Sequence, residues 1–255
     1  MTLAHPFTKV GEPNRRIEMK KVYAVAAAMM IAGTASAQLG VGIEAGANLN
    51  NLANQYRGET TSNQFMIGFH GGITTDIGIS NNFSVAPALR YVLKGGLQTR
   101  NYNDNNYMVD GAMFSAAIEE ENKLKFHYLE LPVNLVYKTG TPDAGRFMIG
   151  AGPYVAYLLN AHNKYEWEAK WIDGGESREI EQVGSEQIPV GEDDGDFLKS
   201  TDFGAQAFVG YEWPKGPFAK IGSSVGFTNV VRDGGPDFYN KNYNFFLTLG
   251  YMFGK

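Results

Sequence analysis

Odd-numbered positions carry the large apolar side chains of this 255-residue chain from Leu39 almost to its end. Leu39, Val41, Ile43, Ala45, Ala47 and Leu49 alternate with Gln38, Gly40, Gly42, Glu44, Gly46 and Asn48. The same parity returns at Phe65, Ile67, Phe69 and Ile73, at Leu129, Leu131, Val133 and Leu135, and at Phe245, Leu247, Leu249 and Tyr251. A repeat of two puts successive side chains on opposite faces of a strand, whereas a helix repeats at 3.6. Eight strands are predicted, over 38–50, 64–79, 83–99, 124–138, 146–161, 201–213, 217–229 and 242–254.

One face of each strand is bulky and aromatic, while the other holds Gly, Asn, Ser and isolated charges. Small polar side chains suit the crowded axis of a narrow barrel. The bulky face then points outward, where water would meet a very large apolar patch. Hydrocarbon outside removes that conflict. The expected fold class is all-β: an eight-stranded, antiparallel, up-and-down transmembrane β-barrel. With 31 Gly, 16 Phe and 14 Tyr the composition suits strands. A mean hydropathy of −0.26 excludes a stack of membrane-spanning helices. The lack of Cys removes disulfides, thiol nucleophiles and thiolate zinc sites, and a net charge of −5 argues against nucleic acid. A soluble barrel of lipocalin type would need a polar exterior, which the odd-numbered face contradicts.

Ahead of the alternating region, Met19-Lys20-Lys21 precedes an apolar run from Val22 to Ala32, and Ala35-Ser36-Ala37 closes it. A basic start, a short apolar stretch and a small-x-small end describe a secretory signal peptide, cleaved after Ala37. Residues 1–37 thus form an N-terminal extension plus leader, with Met19 the expected start, and 38–255 the barrel. The leader directs the chain across the inner membrane, to the cell outer membrane.

The connections alternate in length. Residues 51–63, 100–123, 162–200 and 230–241 read as long extracellular loops; Ser80–Asn82, Thr139–Gly145 and Pro214–Gly216 read as short periplasmic turns. Phe83, Tyr137, Phe147, Trp213, Tyr251 and Phe253 collect near the short turns, where an interfacial girdle would sit. Residues 162–200 hold four basic and eleven acidic side chains, a net of −7. They read as a solvated loop, and Glu192–Asp196 as a weak candidate for a divalent cation, without EF-hand spacing. Pro87, Pro132 and Pro153 fall inside strands that have no free edge, so bulges or local ladder breaks are expected there.

Tyr128-Leu129-Glu130-Leu131-Pro132-Val133, the glycine-rich stretch Phe147–Tyr154, and Phe203-Gly204 leading to Gly210-Tyr211-Glu212 give the mature chain a family resemblance. It resembles the outer-membrane β-barrel domains common in Bacteroidetes, labelled porin family or PorT-like. The resemblance implies an eight-stranded barrel of OmpA/OmpX type in a Gram-negative cell envelope. One departure is Gly254-Lys255, which trail the last aromatic, Phe253.

Six charges fall on the inward parity: Glu44, Arg90, Lys94, Glu130, Glu212 and Lys220. They are expected to form a salt-bridge network filling the lumen, because an isolated buried ion is costly. Tyr102, Tyr107, Trp167 and Trp171 are the candidate extracellular contacts. His127 and His162 fall near the extracellular rim with Asp104, Asp110 and Ser115 in a neighbouring loop, but no spacing ties them into a catalytic set. No catalytic, metal-binding or cofactor-binding residue and no cofactor is expected, so the chain is not read as an enzyme. The function expected is structural or surface-recognition work through the extracellular loops. The alternatives are a small gated, porin-like channel and a lipid- or peptide-modifying enzyme. Expected partners are outer-membrane lipid and, during biogenesis, periplasmic chaperones and the barrel-assembly machinery; the barrel is expected to be a monomer, with an extracellular ligand left open.

Overall fold

The computed structural model describes residues 39–56, 62–173, 175–235 and 238–253. The leader 1–37 and the tail Gly254-Lys255 lie outside the described residues. In chain order the strands are β1 (Leu39–Tyr56), β2 (Ser62–Gln64), β3 (Met66–Gly78), β4 (Phe83–Val109), β5 (Ala112–Thr141), β6 (Gly145–Asp173), β7 (Glu176–Ile188), β8 (Thr201–Glu212), β9 (Pro217–Gly226) and β10 (Phe238–Phe253). Eight of them close a ring, β1-β3-β4-β5-β6-β8-β9-β10, with β10 pairing back onto β1. Short β2 pairs with β4, and β7 pairs with β6.

Register follows from parity. Val41 faces Phe253 and Leu49 faces Phe245 across the closing seam, so odd positions oppose odd positions and the apolar faces align. A slip of one residue would turn a whole strand inside out. The outcome inverts a water-soluble protein: Ile67 is 76% exposed and Phe147 70%, while Lys94 and Glu130 are each 1% exposed. Two aromatic girdles bound the apolar band. Phe83–Tyr137, Phe147–Tyr211 and Tyr251–Phe253 contact one another at the short-turn end, and Phe69–Tyr91 and Phe65–Tyr243 at the other.

The interior is less uniformly polar than the sequence pattern suggests. Val136, Met148, Phe208, Phe218, Phe246 and Met252 point inward and form an apolar cluster. Inward glycines make the room. A Cβ on Gly150 would lie 2.4 Å from the Phe208 ring, and one on Gly250 2.2 Å from the Phe218 ring. Small beside large fills a narrow barrel.

The three prolines interrupt the ladder without shifting it. Pairing on either side of Pro87, Pro132 and Pro153 keeps one register, with a short gap beside each ring. The register shifts lie elsewhere, between Asp104 and Tyr107 on β4 and beside Leu159 on β6. Past Leu159 the inward parity of β6 therefore changes from even to odd.

Two of the expected long loops are strand instead. β4 and β5 continue through 100–123 to a tight turn at Asp110-Gly111, with φ of 48° and 84°. Two successive positive φ values define the primed hairpin turn that Asp-Gly favours, and its twist matches paired strands. β6 likewise runs to Asp173, and β7 returns along it. The result is a four-stranded sheet, β4-β5-β6-β7, standing beyond the membrane band on the long-connection side.

Leu247, midway between the girdles on the outward face, supplies a test. Leu247→Arg is expected to lower stability in lipid vesicles by about 2–4 kcal/mol, as a cation does at the bilayer midplane. Urea unfolding followed by tryptophan fluorescence reads it; an unchanged midpoint would contradict the assigned orientation.

Candidate functional site

Two ion-pair networks fill the lumen. In the first, Arg90 reaches Glu130 at 2.6 Å and Glu44 at 3.7 Å, and Lys220 meets Glu44 at 2.6 Å. Lys94 bridges Glu130 at 2.6 Å and Asp202 at 3.6 Å, with its ammonium 4.1 Å from the centre of the Tyr154 ring. Asp202 accepts hydrogen bonds from Tyr154 (3.2 Å) and Asn242 (3.1 Å). Three acids thus face three bases. The second network lies nearer the periplasm, where Lys138 pairs with Asp76 and Glu212, and Arg146 with Glu212 at 2.6 Å. Here two acids face two bases.

Of the six charges singled out from sequence, the structure brings Glu44, Arg90, Lys94, Glu130 and Lys220 into one network and puts Glu212 in the other. Asp76, Lys138, Arg146 and Asp202 complete these networks and were missed. All four sit on even positions, so parity alone could have found them. Between the charges remains a cavity of about 20 Å³, lined by Glu44, Arg90, Gln206 and Phe246 among others. It has room for about one water.

An apolar plug lies above the first network. Leu52, Phe126, Leu158, Ile188, Leu198 and Val230 pack together at the extracellular mouth. The connection after β7 holds it: the Leu158 N–H donates to the Ser200 carbonyl (2.7 Å), that of Lys199 to Val230 (2.9 Å), and that of Arg232 to Phe197 (3.0 Å). Within this connection the acidic run 192–196 closes on itself, since the Asp193 N–H donates to the Asp196 carboxylate at 2.8 Å. Among the described residues no three His, Asp or Glu side chains converge as a metal site.

The histidines separate. His70 is buried in the lumen against Asn48 (2.7 Å) and Thr248 (2.9 Å). His127 faces outward, hydrogen-bonded to the Tyr91 hydroxyl, with the His162 ring 6.0 Å away. Asp104 instead accepts from the Asn106 N–H, and Ser115 donates to Asn105.

The projecting sheet has two unlike faces. On the face continuous with the lumen, Tyr107 lies 6.1 Å from Trp167 and 5.5 Å from Trp171, over Ala116, Ile118 and Ala169. Tyr102 pairs with Ile118 and shares that face. The four aromatic candidates therefore lie on one sheet face, not on separate loops. On the opposite face Glu119, Glu168 and Glu181 stand directly across from one another on three strands, with Glu121 opposite Glu166 in the next row.

A balanced network is sensitive to losing one member. Glu130→Ala leaves Arg90 and Lys94 buried without their shared carboxylate, and is expected to cost about 3–5 kcal/mol. Unfolding in urea measures this; a loss below about 1 kcal/mol would show the pair to be solvated.

The sequence profile of the outer membrane protein beta-barrel domain family matches residues 31–232. No curated protein matches the chain. Among solved structures, Ail, the attachment invasion locus protein of Yersinia pestis, is similar at 13% identity and a TM-score of 0.36 over 84% of this chain and 99% of Ail. Neisserial surface protein A is similar at 11% identity and a TM-score of 0.35 over 83% of this chain and 96% of its own. The N-terminal β-barrel domain of Pseudomonas aeruginosa OprF gives 16% identity and 0.32 over 86% and 100%. With most of its length covered by that profile, this chain belongs to the outer membrane protein beta-barrel domain family.

Proposed function

We propose that this outer-membrane barrel is a surface-recognition protein whose projecting sheet engages a basic polypeptide outside the cell. The observation that carries the reading is the in-register row Glu119–Glu168–Glu181, backed by Glu121–Glu166, on a sheet that stands clear of the membrane. Like charges directly across strands destabilise a sheet; Lys170 on the same face already meets Glu168 at 2.5 Å, and a cationic partner relieves the remaining carboxylates. Tyr107, Trp167 and Trp171 on the other face add flat, rigid surface suited to guanidinium or peptide stacking. The lumen supports this role rather than transport: its charges balance, and an apolar plug covers its mouth.

Nona-arginine serves as the probe, with the full barrel in phosphatidylcholine nanodiscs. Binding is expected at physiological salt and should fall at least about tenfold in half-molar salt, where screening is shorter-ranged. Glu119→Gln/Glu168→Gln/Glu181→Gln should weaken it by about tenfold or more, and Trp167→Ala/Trp171→Ala by a few-fold. Equal binding by the triple variant would overturn the reading. Steady unitary current steps in a planar bilayer would favour the gated channel instead.

A further inference from the structure

The outward face of β5 and β6 changes sign where the strands leave the apolar band. Below the glutamate rows, Lys123 stands opposite Lys164 and Lys125 opposite His162, with His127 next along β5. Cross-strand pairs of like charge are unfavourable. Glu121 and Glu166 occupy the neighbouring row, about 7 Å along the strands. Even so, none of these three lysines forms an ion pair among the described residues. Lys164 is exposed; Lys123, Lys125, His127 and His162 are half-buried. Lys123 and Lys164, with Lys125 beside them, thus form a cationic cluster that no carboxylate of the described residues contacts, which leaves a place for an anion.

Depth indicates where that anion comes from. Tyr137 belongs to the periplasmic girdle, in contact with Phe83. The β5 strand from Tyr137 to His127, at about 3.3 Å per residue and a tilt of about 40°, climbs about 25 Å, the height of the apolar band. His127 bonds to Tyr91, whose ring contacts Phe69 in the extracellular girdle. The patch therefore lies level with the outer-leaflet headgroups. Lysine stems can lie along the strands there while their ammonium groups reach the polar layer. The glutamate rows immediately above would repel a soluble polyanion lying along the sheet, which leaves the membrane side open.

We propose that Lys123, Lys125, Lys164 and His162 bind the phosphate groups of an outer-leaflet glycolipid headgroup, with its acyl chains against Leu129, Leu131 and the neighbouring apolar face. A phosphate between Lys123 and Lys164 would turn their repulsion into charge-assisted hydrogen bonds. This inference is independent of the basic-polypeptide reading, which concerns the carboxylate rows.

The test uses the full chain refolded into phosphatidylcholine nanodiscs containing bisphosphorylated lipid A, or the same lipid after dephosphorylation. Native mass spectrometry counts the lipid retained per barrel. The wild-type protein is expected to retain lipid A and to release the dephosphorylated form. Lys123→Gln/Lys125→Gln/Lys164→Gln should weaken retention about 100-fold, the scale of three lysines at an anionic surface. The corresponding Lys→Arg triple should keep it, as should Glu119→Gln/Glu168→Gln/Glu181→Gln. Equal retention of both lipids, or retention by the Gln triple with its heat-modifiable gel shift intact, would overturn the proposal. Displacement of lipid A by free pyrophosphate would also overturn it, by making the site one for a soluble anion. If the Gln triple fails to fold, the comparison of the two lipids on the wild-type barrel still decides.

Discussion

Backbone hydrogen bonding in a medium without water is the constraint from which the rest of this structure follows. In hydrocarbon every N–H and C=O must find a protein partner, and a sheet achieves that only by closing. The seam between β1 and β10, paired from Val41↔Phe253 to Tyr56↔Phe238, is that closure. Proline is the residue that tests it. Each of Pro87, Pro132 and Pro153 leaves a gap in the ladder rather than a register shift, and at one gap the Thr75 hydroxyl donates to the Pro87 carbonyl at 3.0 Å. A missing donor is tolerated where the neighbouring backbone can be satisfied locally.

Closure also creates an interior that must be filled. Eight strands leave space for side chains and little else. Near the periplasm this chain uses aromatic rings set against glycines. It uses one charge-balanced network at mid-height and another nearer the periplasm, and at the extracellular mouth an aliphatic plug. Balanced charge is what makes ionic filling tolerable, since each buried carboxylate meets at least one cation. A filled, cross-linked lumen makes a stiff post. The strands β4, β5 and β6 run without a break from that post into the external sheet, so this sheet inherits its order from the barrel.

Charge is also layered along the outward face. Apolar residues meet the acyl chains, the lysine and histidine rows lie at headgroup height, and the glutamate rows stand in water. Each layer matches the medium at its depth, although all lie along one face of β5 and β6 and, at the top, β7.

Much of this was legible in one dimension. Alternation from Leu39 to Phe253 implied the ring, its eight strands and the side of each strand that meets lipid, because a strand's two faces are a matter of parity alone. The length of the external hairpins was not read, though Asp110-Gly111 is a strong local turn signal. Segments rich in Asn and Glu resemble loops until a paired strand is placed beside them. The change of parity at Leu159 was hidden for a similar reason, since a bulge is defined only against its partner. Which charges would meet was beyond the sequence too. Lys220 and Glu44 are 176 residues apart, and Glu212 joins Lys138 and Arg146 rather than Arg90. By itself the sequence determined which side chains face inward along the membrane-spanning part of each strand. Only the tertiary structure decided their heights and neighbours, because those depend on the stagger at which the eight strands close.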